Sequence, residues 1–326
     1  TDIHAMHLKR NKLFEPRITM AITVLGIYVA DLVFFGQKIP QAGETVLGNN
    51  FVVGPGGKGS NQAVAASKAG VKTHFISKIG DDQFGRMAIE MYDEAKVDYS
   101  NVSISEDYST GAAAIMVDEV TGANAINVYP GASGAMTKKD IDDAEPAIRN
   151  SKIFLTQLEA PKETVMYALK KASDLGVTTI LNPAPAACIE KSVFPLVDYF
   201  TPNEIEASFY VNHQVETHDD ARRAAESLLD MGVKNVVITL GERGAFFASA
   251  HEAFFCPVAT LKTPVIDTTG AGDAFNAGLA VALTENMSVQ EAMAFASATA
   301  GLSTTKIGTA KAMPSREQIE ASLRGE

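Results

Sequence analysis

Short runs rich in β-branched and aromatic residues alternate with longer stretches of helical pattern along most of this chain of 326 residues. The pattern and the turn residues that bound it predict buried strands at 21–30, 72–79, 151–158, 176–182, 197–201 and 234–240. Helices are predicted between and after them at 60–69, 83–95, 161–175, 218–231, 273–285 and 288–305. This alternation favours an α/β fold with a mostly parallel central sheet and helices on both faces. In such sheets, ligands bind at the carboxyl ends of the strands.

Two segments interrupt the alternation, at 32–53 and at about 101–129. Each contains β-rich runs and turn glycines with no helix between them, which predicts antiparallel strands set apart from the main pattern. They form either a mixed edge of the main sheet or a small β lid over a cleft. No linker or repeat divides the chain, so residues 18–326 are predicted to form one domain. Residues 1–17 are interpreted as an extension, either a tag or linker remnant or a docking segment.

The composition argues against several classes of partner. The net charge is −11, with 39 acidic and 28 basic residues, so the chain lacks the excess of positive charge that neutralises nucleic-acid phosphates. No run is long and apolar enough to span a bilayer. The two cysteines, Cys188 and Cys256, provide neither a disulfide framework nor the spacing of a structural zinc site. We therefore expect a cytoplasmic protein without nucleic-acid or membrane partners.

The segment "DTTGAGDAFNAGLA" (267–280) reads as a tight glycine turn that leads into a helix, after a strand predicted at "TPVID" (263–267). Gly270 and Gly272 leave the amides of the helix N-terminus uncovered, which predicts a site for a phosphate or a developing oxyanion. Asp273 would be repelled by a phosphate that it touched, so its use there is to take a proton from an attacking hydroxyl. The alternative is that Asp273 only stabilises the first helical turn.

Two familiar phosphate-binding motifs are absent from this turn. A dinucleotide-binding fingerprint requires a glycine where Phe275 stands. A P-loop requires Gly-Lys-Ser/Thr after four intervening residues, and neither this turn nor "GPGGKGSN" (54–61) has that spacing.

The segment "GPGGKGSNQAVAASKAG" (54–70) repeats the arrangement of a glycine loop followed by a helix of small residues. Gly56, Gly57 and Gly59 permit close approach of the backbone to a ligand, Lys58 offers a cation, and Asn61 offers an amide that can bind hydroxyls. The alternative is a turn whose helix packs tightly against the sheet.

Two acids stand at the ends of predicted strands, Asp31 after "GIYVA" and Glu159 after "FLTQL". The ends of parallel strands share one edge of a sheet, so both carboxylates are placed to reach a ligand lying against the glycine loops. Carboxylates accept hydrogen bonds only, which suits the hydroxyls of a polyol. Each acid taken alone is also typical of a solvated loop.

From about Ile22 to Leu323, the sequence resembles that of the ribokinase (PfkB) family of carbohydrate kinases. The two glycine segments are similar to the N-terminal and C-terminal signatures of that family, in the same order. Further matches are "PQAGETV" (40–46), "KIGDDQFG" (78–85), "STGAA" (109–113), "LEAP" (158–161), "LNPAPA" (181–186), "TPNEIEA" (201–207) and "ITLGERGA" (238–245). The resemblance implies a three-layer αβα fold with a Rossmann-like sheet and a β lid. It also implies an ATP-dependent sugar kinase, with D-ribose as the first candidate substrate.

The resemblance assigns a role to each candidate residue. Asp273 is implied to be the base for the primary hydroxyl of the sugar, and Gly270, Ala271 and Gly272 the anion hole for the γ-phosphate. The residues implied to contact the sugar are Asp31, Gly57, Lys58, Asn61, Glu159 and Asp273 itself. Those implied to bind ATP are Asn203, Thr239, Gly241, Gly244 and Ser297. Mg²⁺ is implied at Asn203 and Glu206, and K⁺ at Asp267, Thr269, Ser303, Lys306 and Gly308. Relatives of this kind often dimerise through their lids, which implies a homodimer.

Two residues depart from the family pattern. Val29 stands where the family pattern has an amide that helps to bind the sugar. This difference leaves a deoxypentose, another pentose, a hexose or a nucleoside as alternative substrates. Ala312 stands where a serine lies near the cation. Two other classes of protein fit these residues less well than the kinase. A nicotinamide-dependent oxidoreductase is disfavoured because the dinucleotide fingerprint is missing, and a sugar-binding regulator without catalysis because Asp273 follows its anion hole.

Overall fold

Strands and helices alternate in the structure, a computed structural model that describes residues 20–326. The extension predicted at 1–17 lies outside the described residues. The strands in chain order are β1 (Ala21–Leu25), β2 (Val29–Gly36), β3 (Asn50–Gly56), β4 (Lys72–Gly80), β5 (Asp98–Ser105), β6 (Thr110–Asp118), β7 (Asn124–Gly131), β8 (Ile153–Thr156), β9 (Thr178–Leu181), β10 (Tyr199–Phe200), β11 (Asn235–Thr239), β12 (Ala245–Ser249) and β13 (Ala253–Cys256). The helices are α1 (Lys58–Lys68), α2 (Gln83–Ala95), α3 (Lys138–Asp143), α4 (Glu145–Arg149), α5 (Lys162–Asp174), α6 (Glu204–Val211), α7 (His218–Asp230), α8 (Ala271–Thr284), α9 (Val289–Ser303) and α10 (Arg316–Leu323).

The central sheet has nine strands in the order β13-β12-β11-β10-β9-β8-β1-β4-β5. All neighbours from β11 to β5 pair in parallel, whereas the hairpin of β12 and β13 adds two antiparallel strands at one edge. Parallel strands require crossover connections, and helices provide most of them here. The predicted mostly parallel α/β sheet is therefore confirmed.

Helices cover both faces of this sheet and divide the hydrophobic core in two. One core includes side chains of α1, α2, α8, α9 and α10, among them Val64, Leu279 and Phe295. The other includes side chains from α3 to α7, among them Leu169 and Leu228. The sheet strands contribute to both cores because their successive side chains point to opposite faces.

A separate four-stranded sheet in the order β3-β2-β6-β7 forms the small second sheet. Strands β2 and β6 pair in parallel at its centre, while β3 and β7 pair antiparallel at its edges. Of the two alternatives for the interrupting segments, the separate sheet is therefore the one observed, but the two segments join through the parallel pair β2 and β6 and not through antiparallel strands alone. We call these four strands the lid.

Three sequence predictions about elements were wrong. The run at 21–30 is not one strand, because the chain leaves the central sheet after Leu25 and enters the lid at Val29. Asp31 therefore lies within lid strand β2 and not at the edge of the central sheet. Residues 101–105, predicted with the lid, belong to β5, which pairs with β4 in the central sheet.

The third error concerns the strand predicted at 263–267, where the structure has a loop. The amides of Ile266 and Asp267 both donate to the carbonyl oxygen of Thr304, at 2.8 and 3.1 Å, at the end of α9. The backbone donors are thus used at a helix C-terminus, whose carbonyls lack partners within the helix. A β-branched composition alone did not reveal this competing partner.

Candidate active site

A cleft opens where the carboxyl ends of β9, β10 and β11 approach the first turn of α8. Seven residues predicted from the sequence line this cleft: Lys58, Asn203, Glu206, Thr239, Gly270, Gly272 and Asp273. Four residues that the sequence analysis missed also line it: Asn182, Ala184, Thr201 and Asn276. Its position follows the rule for α/β sheets, in which ligands bind beyond the carboxyl ends of the strands.

Asp273 is the third residue of α8, and only 5% of its surface is exposed. Its Oδ2 accepts a hydrogen bond from Asn61 Nδ2 at 3.0 Å, and its Oδ1 accepts one from Gln62 Nε2 at 3.1 Å. Burial raises the pKa of Asp273, although Lys58 and the two amides act in the opposite direction. An acid that served only the helix dipole would need neither burial nor these two amide partners.

The N-terminus of α8 presents open backbone amides beside Asp273. Gly270 caps the helix with φ of 78°, a conformation that favours glycine. Within residues 20–326 the N–H groups of Gly270 and Gly272 have no hydrogen-bond acceptor, while the N–H of Ala271 donates to Thr268 O at 3.1 Å. A Cβ built on Gly272 would meet no atom within 4 Å, so space for a ligand is open there. The arrangement can accept an anion.

Lys58, at the start of α1, is surrounded by three acidic side chains, Asp273, Glu159 and Glu206. Its backbone N–H donates to Glu159 Oε2 at 2.8 Å. Burial raises the pKa of Glu159 to about 7, and Lys58 opposes this shift. Burial lowers the pKa of Lys58, but Asp273, Glu159 and Glu206 outweigh it, so the net shift is upward. Lys58 therefore stays charged among these acids.

The lid contributes Asp31 to the same cluster. Burial and then the charge of Asp273 raise the pKa of Asp31 to about 6. A Cβ on Gly56 would lie 2.3 Å from both carboxylate oxygens of Asp31, so Gly56 leaves room for this side chain. Gly56 was expected to leave that room for a ligand.

The other two glycines of the first loop have different uses. Gly57 is the N-cap of α1 with φ of 92°, and a Cβ there would lie 2.5 Å from Ile27 O. A Cβ on Gly59 would lie 2.5 Å from Gly26 Cα. Gly59 therefore allows α1 to pack closely on the chain after β1, which was the alternative interpretation of this loop.

Asn203 and Glu206 form a capping box at the start of α6. Asn203 Oδ1 accepts from the Glu206 N–H at 2.8 Å, and Glu206 Oε2 accepts from the Asn203 N–H at 2.9 Å. Asn203 also pairs in parallel with Thr239 at the end of β11. The local pattern Asn-x-x-Glu explains this geometry, and it leaves both side chains at the wall of the cleft.

The remaining residues predicted for the nucleotide lie along the loop after β11 and on α9. Gly241 and Gly244 have φ of 57° and 88°, and a Cβ on Gly244 would lie 2.2 Å from Cys256 O. Ser297 is buried in α9, where its Oγ accepts from Ala259 N at 2.9 Å and donates to Pro257 O at 3.2 Å. Ser297 thus fixes the loop that follows β13.

Of the residues predicted for K⁺, Asp267 joins two segments of chain. Its Oδ1 accepts from Thr269 N and its Oδ2 from Gly308 N, both at 2.9 Å. Burial raises the pKa of Asp267, but these hydrogen bonds outweigh it and lower the pKa. Ser303 donates its hydroxyl to Ala300 O at 2.7 Å, and Lys306 is exposed.

A chain of buried polar side chains beneath the cleft was not predicted. Gln157 contacts Gln62, Gln62 contacts Asp273 and Asn182, and Asn276 Nδ2 donates to Gly272 O at 2.9 Å. The only sequence signal was a polar residue inside an otherwise small or apolar run, as in "NQAVAA" and "LTQL".

Residues 20–326 contain no group of three or more His, Cys, Asp or Glu side chains arranged to hold a metal ion. In the same residues, each helix is too short or too polar to cross a bilayer.

Comparison with known proteins defines the class. The model of the pfkB family carbohydrate kinases matches residues 20–316. Ribokinase from Haemophilus influenzae is 36% identical over 297 residues, which cover 91% of this chain and 96% of that protein. Deoxyribokinase from Salmonella typhi is 34% identical over 305 residues, which cover 93% of this chain and 99% of that protein.

A longer relative is the bifunctional ribokinase/ribose-5-phosphate isomerase A of Fructilactobacillus sanfranciscensis. It is 38% identical over 300 residues, which cover 91% of this chain but only 55% of that protein. Among solved structures, that of Arabidopsis thaliana ribokinase complexed with ribose and ATP matches with a TM-score of 0.89 at 30% identity, over 93% of this chain and 98% of that one. The chain belongs to the pfkB family of carbohydrate kinases. It is a ribokinase-like, ATP-dependent sugar kinase.

Proposed function

We propose that this protein transfers the γ-phosphoryl group of ATP to the primary hydroxyl of D-ribose, giving D-ribose 5-phosphate and ADP. The observation that carries the proposal is the buried carboxylate of Asp273 beside the open amides of Gly270 and Gly272. Relatives named ribokinase and a ribokinase solved with ribose and ATP support the choice of sugar.

In this proposed reaction, Asp273 is the base. Its carboxylate takes the proton as the hydroxyl oxygen bonds to the γ-phosphorus, and the bond from that phosphorus to the β,γ-bridging oxygen breaks. The amides at the start of α8 hold the phosphoryl oxygens as their charge develops. Asp31, Gly57, Lys58, Asn61 and Glu159 are proposed to bind the sugar. Asn61 Oδ1 is buried without a hydrogen-bond donor within residues 20–326, so it can accept from a sugar hydroxyl.

The nucleotide is proposed to lie along Asn203, Thr239, Gly241 and Gly244, near Ser297. The family also uses a divalent metal, and Asn203 and Glu206 are the residues proposed to hold Mg²⁺ through water and phosphates. Burial and the neighbouring acids raise the pKa of Glu206, so a nearby cation would relieve that unfavourable charge. When bound, Mg²⁺ neutralises charge on the phosphate oxygens.

A K⁺ ion is proposed near the anion hole. Its support is that Asp267 connects the loop before α8 to Gly308, which brings together two of the predicted segments. Thr269, Ser303 and Lys306 complete the proposed group. We expect ATP consumption to rise on replacing Na⁺ with K⁺ at constant ionic strength.

Val29 favours a second candidate substrate, 2-deoxy-D-ribose. It is 4% exposed and lies two residues before Asp31 in β2, so both side chains share one face of the lid. An apolar side chain there offers no hydrogen bond to a sugar hydroxyl. A relative named deoxyribokinase, at 34% identity, adds support for this candidate.

The test of substrate is ADP release with Mg²⁺ and K⁺ across D-ribose, 2-deoxy-D-ribose, fructose and several nucleosides. We expect the largest kcat/KM for ribose. The Val29→Asn variant is expected to raise the ratio of kcat/KM for ribose over deoxyribose about tenfold, the effect of one added hydrogen bond. A larger kcat/KM for deoxyribose in the wild type would overturn the assignment to ribose and leave the kinase mechanism intact.

We also propose a homodimer formed through the lid, and a cytoplasmic location. Its support is that Cys188 and Cys256 are both free thiols, and free thiols are typical of proteins in a reducing compartment.

A further inference from the structure

Gln62 and Gln157 form a buried hydrogen-bonded pair behind Asp273. Gln62 is 0% exposed and Gln157 is 1% exposed. Gln157 Nε2 donates to Gln62 Oε1 at 2.5 Å, and Gln62 Nε2 donates to Asp273 Oδ1 at 3.1 Å. Gln62 Nε2 also contacts Asn182 Oδ1 at 3.2 Å. The amide of Gln62 therefore has a partner at both of its ends.

We propose that Gln62 is a positioning residue for Asp273 and that Gln157 fixes the orientation of the Gln62 amide. The inference rests on the proposed role of Asp273 as the base. Neither glutamine is proposed to touch the sugar or the phosphates.

The direction of each hydrogen bond follows from what each group can do. An ionised carboxylate only accepts, so the NH₂ end of Gln62 must face Asp273. The carbonyl end of Gln62 then needs a donor, and Gln157 Nε2 provides it. Without Gln157 the buried carbonyl oxygen of Gln62 loses its donor, and the Gln62 amide is then held only by the acceptors Asp273 and Asn182 at its other end.

Positioning matters because the two oxygens of Asp273 have different neighbours. Asn61 holds Oδ2 and Gln62 holds Oδ1, so the carboxylate cannot rotate without breaking one hydrogen bond. Loss of Gln62 frees this rotation. We expect kcat to fall about tenfold to a hundredfold, as for the loss of a hydrogen bond to a charged group, while the KM for the sugar changes less than threefold.

The pH dependence of kcat/KM should also change when Gln62 is replaced. Gln62 and Asn61 both lower the pKa of Asp273, and Lys58 does so by its charge. The acids Asp31, Glu159 and Glu206 also lie close enough for their pKa values to respond to Asp273. Removing one hydrogen bond to the ionised form raises the pKa of the base. The acid limb of kcat/KM should therefore shift upward by about one pH unit.

The experiment compares Gln62→Met, Gln157→Met and the double variant with Ser60→Ala as matched control. Ser60 lies in the same helix, is buried, and its Oγ contacts Tyr92 Oη at 3.0 Å, away from Asp273. The readouts are kcat, KM and the pH profile of kcat/KM, together with Tm. We expect both glutamine variants to lower kcat and raise the acid limb. The double variant should resemble Gln62→Met, since Gln157 acts through Gln62.

Ser60→Ala should lower Tm and leave the acid limb unchanged. A wild-type kcat and pH profile for Gln62→Met would overturn the inference, as would equal losses of kcat in Gln62→Met and Ser60→Ala. If Gln62→Met does not fold, Gln62→Glu decides, because it keeps the shape and places a second carboxyl against Asp273. The two carboxyls would share a proton and raise the acid limb further. An unchanged limb would then refute the inference.

Asp273→Asn is assayed in the same series to separate two kinds of failure. If Asp273→Asn retains a kcat near wild type, the assignment of the base fails, and the inference fails with it. If Asp273→Asn is inactive while Gln62→Met and Gln157→Met match the wild type, only the inference fails.

Discussion

Gly56 and Gly54 lie in the same lid strand but differ in what surrounds them. A Cβ on Gly56 would meet the Asp31 carboxylate at 2.3 Å, whereas a Cβ on Gly54 would meet nothing within 4 Å. Asp31 also has a raised pKa, about 6, because it is buried near Asp273. The Asp31 carboxylate thus has room in this position only because Gly56, on the adjacent strand β3, has no side chain.

Gly56→Ala is expected to displace the Asp31 carboxylate and weaken sugar binding. The KM for the sugar should rise about tenfold, the effect of losing one hydrogen bond to a charged group. The measurement is KM for ribose at saturating ATP. Gly54→Ala is the control and should leave KM unchanged. Equal KM values for the two variants would show that Asp31 does not depend on Gly56.

At the scale of elements, local signals predicted most helices and strands, and tertiary partners caused the errors. Helices α1 and α8 were predicted because glycine turns and runs of small residues are visible in a short window. The run at 21–30 is mostly apolar, and its one glycine, Gly26, did not show that the run divides between two sheets. A Cβ on Gly26 would lie 2.3 Å from Gln157 Oε1, which indicates how crowded the site of that division is.

The candidate site was likewise predictable where its signals are local in sequence, and not where they depend on contacts between distant residues. Asp273 and the glycines before it were identified because turn, helix start and acid are adjacent in sequence. Gln62, Gln157 and Asn182 were missed because their function depends on contacts between residues far apart in the chain. A polar residue in an apolar run can indicate a buried amide, but it does not show which partner that amide has.

Among residues 20–326, many of the exposed large apolar side chains lie in the lid. Phe34 and Phe51 lie in contact on adjacent strands, with ring centroids 4.7 Å apart, and both are exposed. Ile126 and Tyr129 are exposed on the opposite edge strand, β7. Exposed apolar surface on a sheet with open edge strands is typical of a contact between subunits. These features support the proposed homodimer.

Phe34→Glu is expected to convert the proposed dimer to a monomer by placing a charge in the interface. Light scattering coupled to gel filtration at about ten micromolar protein gives the mass directly. Leu323→Glu is the matched control, because Leu323 is 47% exposed, as is Phe34, but lies on α10 away from the lid. A monomeric wild type, or the same mass for both variants, would contradict dimerisation through the lid.

The role of Asp273 is tested most directly by ribose-dependent ADP release by the wild type and by Asp273→Asn, with ribose binding followed by calorimetry. We expect rapid release by the wild type and a loss of kcat of about a hundredfold to ten-thousandfold in the variant, with the Kd for ribose nearly unchanged. A kcat near wild type in Asp273→Asn would contradict the claim that this buried carboxylate is the catalytic base.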